Sequence, residues 1–350
     1  MIKFGIKSST QLQMNKLFEA FLAGHETSEQ ARSAVTESTW RVSRRRGDFL
    51  AGLPVQESES VQTGAGKGMY RSQRICGRDL MLMSYSFAPK MVVHTVPQRD
   101  WAILLMSLKP QSDLAFNGRA ARPFDLFLSA GRDGYMTTGK DRHNLAIGIR
   151  KSRLVSACAA IAGVGEEDVV LSDGVLQRQQ VLGQRLHSAL IGNTAQPDEE
   201  PLAEGQFAMT AALENDLISV LATQLAPTVR RGPAVSVFRV DALRVVRAAT
   251  TASKELPAPD LADLCAAAGV SQRWLHKCFV DVLGMSPYRY IRLARLSKAR
   301  DMLLATEDRP LLVKGVALSL GYRLSGRFAA DYRSVFGENP TDTLQRSREI

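Results

Sequence analysis

Near its C-terminal end the chain carries the same frame twice. Leu275, Phe279, Leu283, Gly284 and Pro287 meet Phe328, Tyr332, Phe336, Gly337 and Pro340 after a shift of 53 residues. Apolar side chains four residues apart share one helix face, the glycine supplies the left-handed backbone that stops a helix, and the proline is preorganised to start the next. Such a repeat restricts this part of the chain to two copies of one supersecondary unit, each needing the same core.

The first copy shows what the unit is. Asp260, with Asp263 three residues on, can cap a helix over 261–268, Gly269 permits a tight bend, and Ser271 is a good N-cap for a helix to about Val282. Helix, short turn and capped helix make a helix-turn-helix. Leu275, Phe279 and Val282 or Leu283 form the core face of the last helix. Gln272, Arg273, His276 and Lys277 then project from the opposite side of its first two turns, where a recognition helix reaches base edges in the major groove. A lone basic helix could equally be a solvated face; the repeat favours base contact. The second copy, GYRLSGRFAADYRSVFGENP, offers Arg323, Ser325 and Arg327 as its polar candidates.

Between the copies, Ser286 and Pro287 are expected to start a helix that runs to about Ala305. Its length, roughly 28 Å at 1.5 Å per residue, would hold two reading heads for successive major grooves, one turn of B-DNA being about 34 Å. Arg289, Arg292 and Arg295, with Lys298 and Arg300, give this spacer cations, some for phosphates and others for salt bridges to neighbours. Charge agrees: residues 239–350 carry 18 Lys and Arg against 12 Asp and Glu, and residues 1–238 carry 27 against 23. The denser positive charge in the last third favours an anionic partner.

The run GVSQRWLHKCFVDVLGMSPYRYIRLARLSKARDML followed by GYRLSGRFAADYRSVFGENPTDTL resembles the DNA-binding domain of the AraC/XylS family of transcription regulators, over about residues 239–347. The resemblance implies two helix-turn-helix units on a long connecting helix, with Arg273, His276 and Lys277 on reading positions and Gln272 beside them. The second head departs from the family where many members place polar side chains: Ser325, Gly326, Ala329 and Ala330 stand there. That head is expected mainly to grip the DNA backbone. The wording GRFAxxYxxxFGExP is most similar to the ethanolamine-operon regulator subgroup.

Ahead of this region, residues 36–150 alternate short apolar runs (DLMLMSYSF, KMVVHTV, WAILLMSL, FDLFLSA, NLAIGI) with Gly and Pro turns, which predicts a β-rich barrel or sandwich. A helix over 11–23 is expected beside it. From 152 to 227 the chain turns helical, with leucine stripes at 182, 186 and 190 and at 213, 217, 221 and 225. Those stripes either pack inside a domain or form a homodimer seam. The expected organisation is α+β and multidomain: a β-rich, cupin-like effector domain over 1–170, a helical hairpin with a possible dimerisation role over 171–227, a linker over 228–238, and an all-α DNA-binding domain over 239–350 with helix-turn-helix units at 261–282 and 312–336. Family members with this layout imply a small-molecule effector, so Tyr85, Phe87, Trp101 and Tyr135 are its candidate pocket lining, although aromatic residues in short strands also serve as plain core.

Other chemistry finds little support. His94 and His143 stand without the HxH cluster of a metal cupin, and the spacing of Cys265, His276 and Cys278 does not suit zinc. GAGKG at 64–68 lacks the Ser or Thr of a phosphate loop and reads as a hairpin turn. No catalytic residues, cofactor or metal are expected. The cysteines at 76, 158, 265 and 278 form no CxxC pair, and the longest apolar runs fall short of a membrane span, so a reduced, cytoplasmic chain is expected. The function expected is a DNA-binding transcription regulator, an activator acting through RNA polymerase, homodimeric and effector-controlled. Its rivals are a small-molecule enzyme fused to a DNA-binding domain and a non-specific architectural DNA binder.

Overall fold

The computed structural model describes residues 39–43, 52–68, 70–109, 113–122, 124–176, 209, 211–229, 240–256, 258–305 and 312–347. The expected helix over 11–23 and the leucine stripe at 182–190 lie outside these. The N-terminal part is a two-sheet antiparallel sandwich. One sheet runs in the order β1 (Thr39–Ser43), β3 (Tyr70–Cys76), β4 (Leu80–Phe87), β11 (Arg142–Arg150), β6 (Trp101–Ser107), β9 (Leu126–Ser129), β12 (Gly174–Leu176). The other runs β2 (Val55–Gln62), β5 (Met91–Pro97), β10 (Tyr135–Gly139), β7 (Ala115–Phe116), β8 (Arg119–Ala120).

Strands β4, β6 and β9 of the larger sheet read as nearly unbroken apolar runs because both faces are covered. Its inner face, through Met83, Ile103, Leu105, Phe127 and Ala146, meets the smaller sheet. Its outer face, through Leu82, Leu104, Leu128, Leu145 and Ile147, lies under two helices, α1 (Lys151–Ala162) and α2 (Ala211–Val229). Leu221 and Leu225 of the second stripe are buried in that layer with Leu213 and Leu217 at its margin, so this stripe packs within the domain. Glu214 fixes the register of α2, its Oε1 accepting from the backbone N–H of Asp79 at 2.5 Å and of Leu80 at 2.6 Å.

The boundaries therefore differ from those expected. β12 continues the sheet past residue 170, and α2 runs through Pro227 into the segment read as linker. The GAGKG stretch is not a hairpin turn. It carries the chain from β2 in one sheet towards β3 in the other.

The C-terminal part is helical: α3 (Val240–Glu255), α4 (Leu261–Ala268), α5 (Gln272–Leu283), α6 (Pro287–Leu304), α7 (Val313–Ser319), α8 (Ser325–Phe336) and α9 (Pro340–Ser347). The sandwich docks on it through the outer face of the smaller sheet, whose Val61, Val92 and Met136 join the helical core. Gln62, fully buried, is the polar centre of this contact. Its backbone N–H donates to Ser297 Oγ of α6 at 3.2 Å, and its Nε2 donates to the carbonyls of Gly64, Gly66 and Val335. Asp133 receives Arg247 at 3.1 Å and Arg244 at 3.4 Å, both from α3.

His94 is buried on the same sheet face. Burial foremost, then the positive charges of Arg247 and Lys254, outweigh Glu57 and a backbone bond at Asp133 and lower its pKa to about 4. The folded value lies below the unfolded value of about 6.5, so the stability gained by holding this imidazole neutral is present above pH 6.5 and is lost as pH falls towards 4. Lowering pH from 8 to 5 is expected to cost about 2 kcal/mol through this group. Replacing His94 with Gln should flatten that part of the stability profile, measured by urea unfolding across the range.

Candidate nucleic-acid interface

Both heads are built as the repeat requires. Leu275, Phe279 and Leu283 of α5 and Phe328, Tyr332 and Phe336 of α8 are all 2% exposed or less. Gly284 at φ 69° and Gly337 at φ 70° end these helices in the left-handed conformation, their N–H groups donating to the carbonyls of Val280 and Arg333. Pro287 and Pro340 then open the following helices. In the first head Asp260 and Asp263 form a reciprocal capping box on α4, Gly269 turns the chain at φ 64°, and Ser271 Oγ accepts from the N–H of Trp274. The second head lacks a side-chain cap on α8, where Leu324 holds the N-cap position.

With the core face fixed, the residues expected to read bases fall on the exposed face. Gln272, Arg273, His276 and Lys277 are exposed on α5, and Arg323, Ser325 and Arg327 are exposed at the start of α8. Gln272 of one head and Arg323 and Arg327 of the other line a single groove of about 860 Å³ together with Tyr288, Arg292 and Arg295 of α6. The exposed starts of α5 and α8 therefore share one side of the domain. Within the groove, burial first and the charge of Asp331 second push the Tyr322 hydroxyl up to about 12, so it stays neutral.

The spacer cations divide by environment. Arg289 is exposed, and Arg292 is exposed with a loose pairing to Asp331 at 4.0 Å. Arg295 is committed to the fold, donating to the Pro259 carbonyl, and Lys298 donates to the Lys254 carbonyl at 3.1 Å. Arg300 is buried: it pairs with Glu338 at 2.7 Å and lies over the Phe336 ring at 4.8 Å. Arg300 is therefore one of the spacer cations that pair with a neighbour and not with a phosphate. Glu338 also accepts from Thr343 and Arg346. Burial acts to raise its pKa, but those bonds and the charge of Arg300 outweigh it and hold the carboxyl below its usual range.

The structure adds apolar side chains that the polar reading passed over. Trp274 is 41% exposed with Lys277 Nζ 5.3 Å from its ring centroid, and Tyr288 and Leu324 are 68% and 70% exposed beside the groove. Large apolar groups on a polar reading surface suit thymine methyls and sugar faces. The available signal was negative: Trp274 falls off the face shared by Leu275 and Phe279.

Comparisons with known proteins agree with this geometry. A family model described as a helix-turn-helix domain matches residues 264–346. The XylDLEGF operon transcriptional activator 1 of Pseudomonas putida is 39% identical over 79 residues, 23% of this chain and 24% of that protein. The transcriptional activator NphR of a Rhodococcus species is 29% identical over 142 residues, 41% of this chain and 40% of its own. A crystal structure of a probable AraC family transcriptional regulator from Rhodopseudomonas palustris is 35% identical, covering 30% of this chain and 97% of that one, with a TM-score of 0.28. Over residues 264–346 this chain is similar to AraC/XylS-family regulators. It spans about a quarter to a half of the length of the Pseudomonas activators it matches, and the helix-turn-helix model lies towards the C-terminal end of this chain.

In the sandwich the four aromatic residues expected to line an effector pocket do not share one place. Tyr85, Phe87 and Tyr135 point between the sheets, where Phe116 stacks on Phe127 at 4.4 Å and on Tyr135 at 5.1 Å. Trp101 pairs with Arg150 at the far end of β11, eight residues or about 27 Å from Arg142, which stands opposite Phe87. The Arg150 guanidinium lies over the Trp101 ring at 4.9 Å. Among the described residues no group of three or more His, Cys, Asp or Glu side chains could hold a metal, and no helix is long and apolar enough to cross a membrane.

Proposed function

We propose that this protein is a sequence-specific DNA-binding transcription regulator, an activator, whose N-terminal sandwich holds a small-molecule effector. The observation that carries the reading is one surface on which Gln272, Arg273, His276 and Lys277 of the first head and Arg323 and Arg327 of the second are exposed on either side of a common groove. Arg273, at the second position of α5, is assigned to base readout, with Arg289 and Arg292 on phosphates. Cytoplasmic location, homodimerisation and contact with RNA polymerase belong to the same proposal. A place in the ethanolamine-operon regulator subgroup rests on the second-head wording alone.

Coupling follows from strand alternation. In β5 and β10, Thr95 and Tyr135 face the sandwich interior, while Val92, His94 and Met136 face the helical core or its cations. A ligand that moved these strands would alter the docking of the reading heads, which is the differential contact that linkage requires.

Selection of bound sites from a random DNA pool tests the reading. The expected result is a motif with half-sites about one helical turn apart. Binding that is salt-sensitive but yields no motif would favour a non-specific architectural role. Replacing Arg273 with Ala should weaken binding at the selected site by roughly 1–3 kcal/mol and relax preference at one base position. Equal weakening on selected and random DNA would reassign Arg273 to a phosphate.

A further inference from the structure

The sandwich grips both reading heads at once, from opposite edges of its smaller sheet. At the β2 edge, Gln62 Nε2 and the N–H of Gly66 both donate to the Val335 carbonyl of α8, each at 3.0 Å. At the β8 edge, Gly118 in the β7–β8 turn stands so close to α5 that a Cβ would lie 2.2 Å from the Asp281 carbonyl oxygen and 2.9 Å from Val282 Cα. The spacer is held as well, Ser297 Oγ of α6 accepting from the N–H of Gln62 at 3.2 Å. Val61, Val92 and Met136 fill the space between these attachments with apolar packing.

Docking leaves the faces assigned to DNA open. Asp281 and Val335 lie in the last turns of α5 and α8, and Arg273 is roughly 12 Å along the axis from Asp281 at 1.5 Å per residue. Arg273, His276 and Lys277 of one head and Arg323 and Arg327 of the other stay exposed with the sandwich in place. Apart from the sandwich, each head is anchored to its own end of the spacer. The Phe279 ring of α5 meets Tyr290 of α6 at 5.6 Å, and Glu338, beyond α8, holds Arg300 of α6 at 2.7 Å. On the DNA side the groove of about 860 Å³ opens between them.

We propose that the docked sandwich is a splint that fixes the distance and angle between the two heads, with Gln62 and Gly118 as positioning residues for half-site spacing. Attachment to α5, α6 and α8 together resists rotation of one head against the other about the spacer. Heads held in place beforehand lose less freedom on DNA, and they reject a site whose halves are wrongly spaced. The docked state is therefore the one that reads DNA most strictly. This proposal rests on the two-headed reading above.

The experiment titrates labelled duplexes with the full chain: the site recovered by selection, the same site with one or two base pairs inserted between its halves, and each half-site alone. Each inserted pair moves one half-site about 3.4 Å along the duplex and roughly 35° around it. The parent chain is expected to lose about 100-fold on one insertion, falling towards single half-site affinity as the advantage of a linked second head disappears. Gln62→Met and Gly118→Val loosen opposite edges of the docking sheet. Both should bind the selected spacing several-fold more weakly, lose no more than about 10-fold on insertion, and keep the parent's affinity for each half-site. A penalty as large in both variants as in the parent assigns the spacing to α6 alone, and a parent that tolerates insertions has no splint; either result overturns the proposal. Loss of half-site binding in both variants overturns it too, because the sandwich would then hold the heads folded instead of spaced. A selection that yields no motif refutes the two-headed regulator reading, whereas a motif with tolerant spacing refutes the splint alone.

Discussion

Replacing Glu338 with Ala is expected to destabilise the DNA-binding region by roughly 3–5 kcal/mol, the usual result of leaving a buried charge without its counter-ion. Glu338 and Arg300 have side chains only 5% and 6% exposed and meet at 2.7 Å. The same carboxylate gathers Thr343 and Arg346 from α9, and Thr343 in turn meets the Tyr332 hydroxyl at 2.8 Å. One side chain thus joins the spacer, the second reading helix and the terminal helix. Replacing both Glu338 and Arg300 with apolar residues of similar size should recover much of the loss, because no charge is then stranded. Urea unfolding of the two single variants and the double variant checks this. Since the folded pKa of Glu338 is lowered, its contribution is present above the ordinary carboxylate range and fades as pH falls through that range.

Substitution of Gly118 by Val is expected to separate the sandwich from the reading heads. Gly118 sits at the tip of the β7–β8 turn with φ 81°, and a Cβ there would lie 2.2 Å from the Asp281 carbonyl oxygen of α5. Two penalties combine, a branched residue at positive φ and a collision with backbone that no rotamer relieves. Their sum is on the order of 4 kcal/mol, concentrated at the interface. Faster amide hydrogen exchange at Gln62 and along α3 would register the separation, while the cores of both parts stay protected. Unchanged exchange at those sites would show that the contact at Asp281 is not needed for docking. The loop after β2 grips the other head, Gly66 N–H donating to the Val335 carbonyl at 3.0 Å. The sandwich therefore touches both reading helices near their C-terminal ends, away from the residues assigned to DNA.

The helical end was legible because its rules are local. Asp260, Gly269, Ser271, Gly284 and Ser286 each satisfy a backbone requirement within four residues, so caps and turns could be assigned from spacing. The core face followed from the i, i+4 rhythm of Leu275 and Phe279. Arg295 and Arg300 were not legible in the same way. Their partners, Pro259 and Glu338, lie 36 and 38 residues away, and nothing in the helix separates a committed arginine from a free one.

The sandwich reversed that balance. Apolar runs announced strands, but pairing is long-range: β11 lies between β4 and β6, and the segment 64–68 crosses between sheets instead of forming a hairpin. Sequence could nominate Tyr85, Phe87 and Tyr135 as aromatic lining, yet Trp101 has the same chemistry and lies at the other end of the sheet. Arg142 is 2% exposed, yet it drew no attention in the sequence because an arginine beside Asp141 at a turn is ordinarily a surface residue.

The sequence by itself determined two helix-turn-helix heads, the caps of the first, their core faces and the helix between them, because caps, glycines and helical periodicity act over a few residues. Only the tertiary structure decided which arginines are free, where the sandwich grips the heads, and that Arg142 is enclosed, because burial and charge pairing depend on segments brought together from far along the chain.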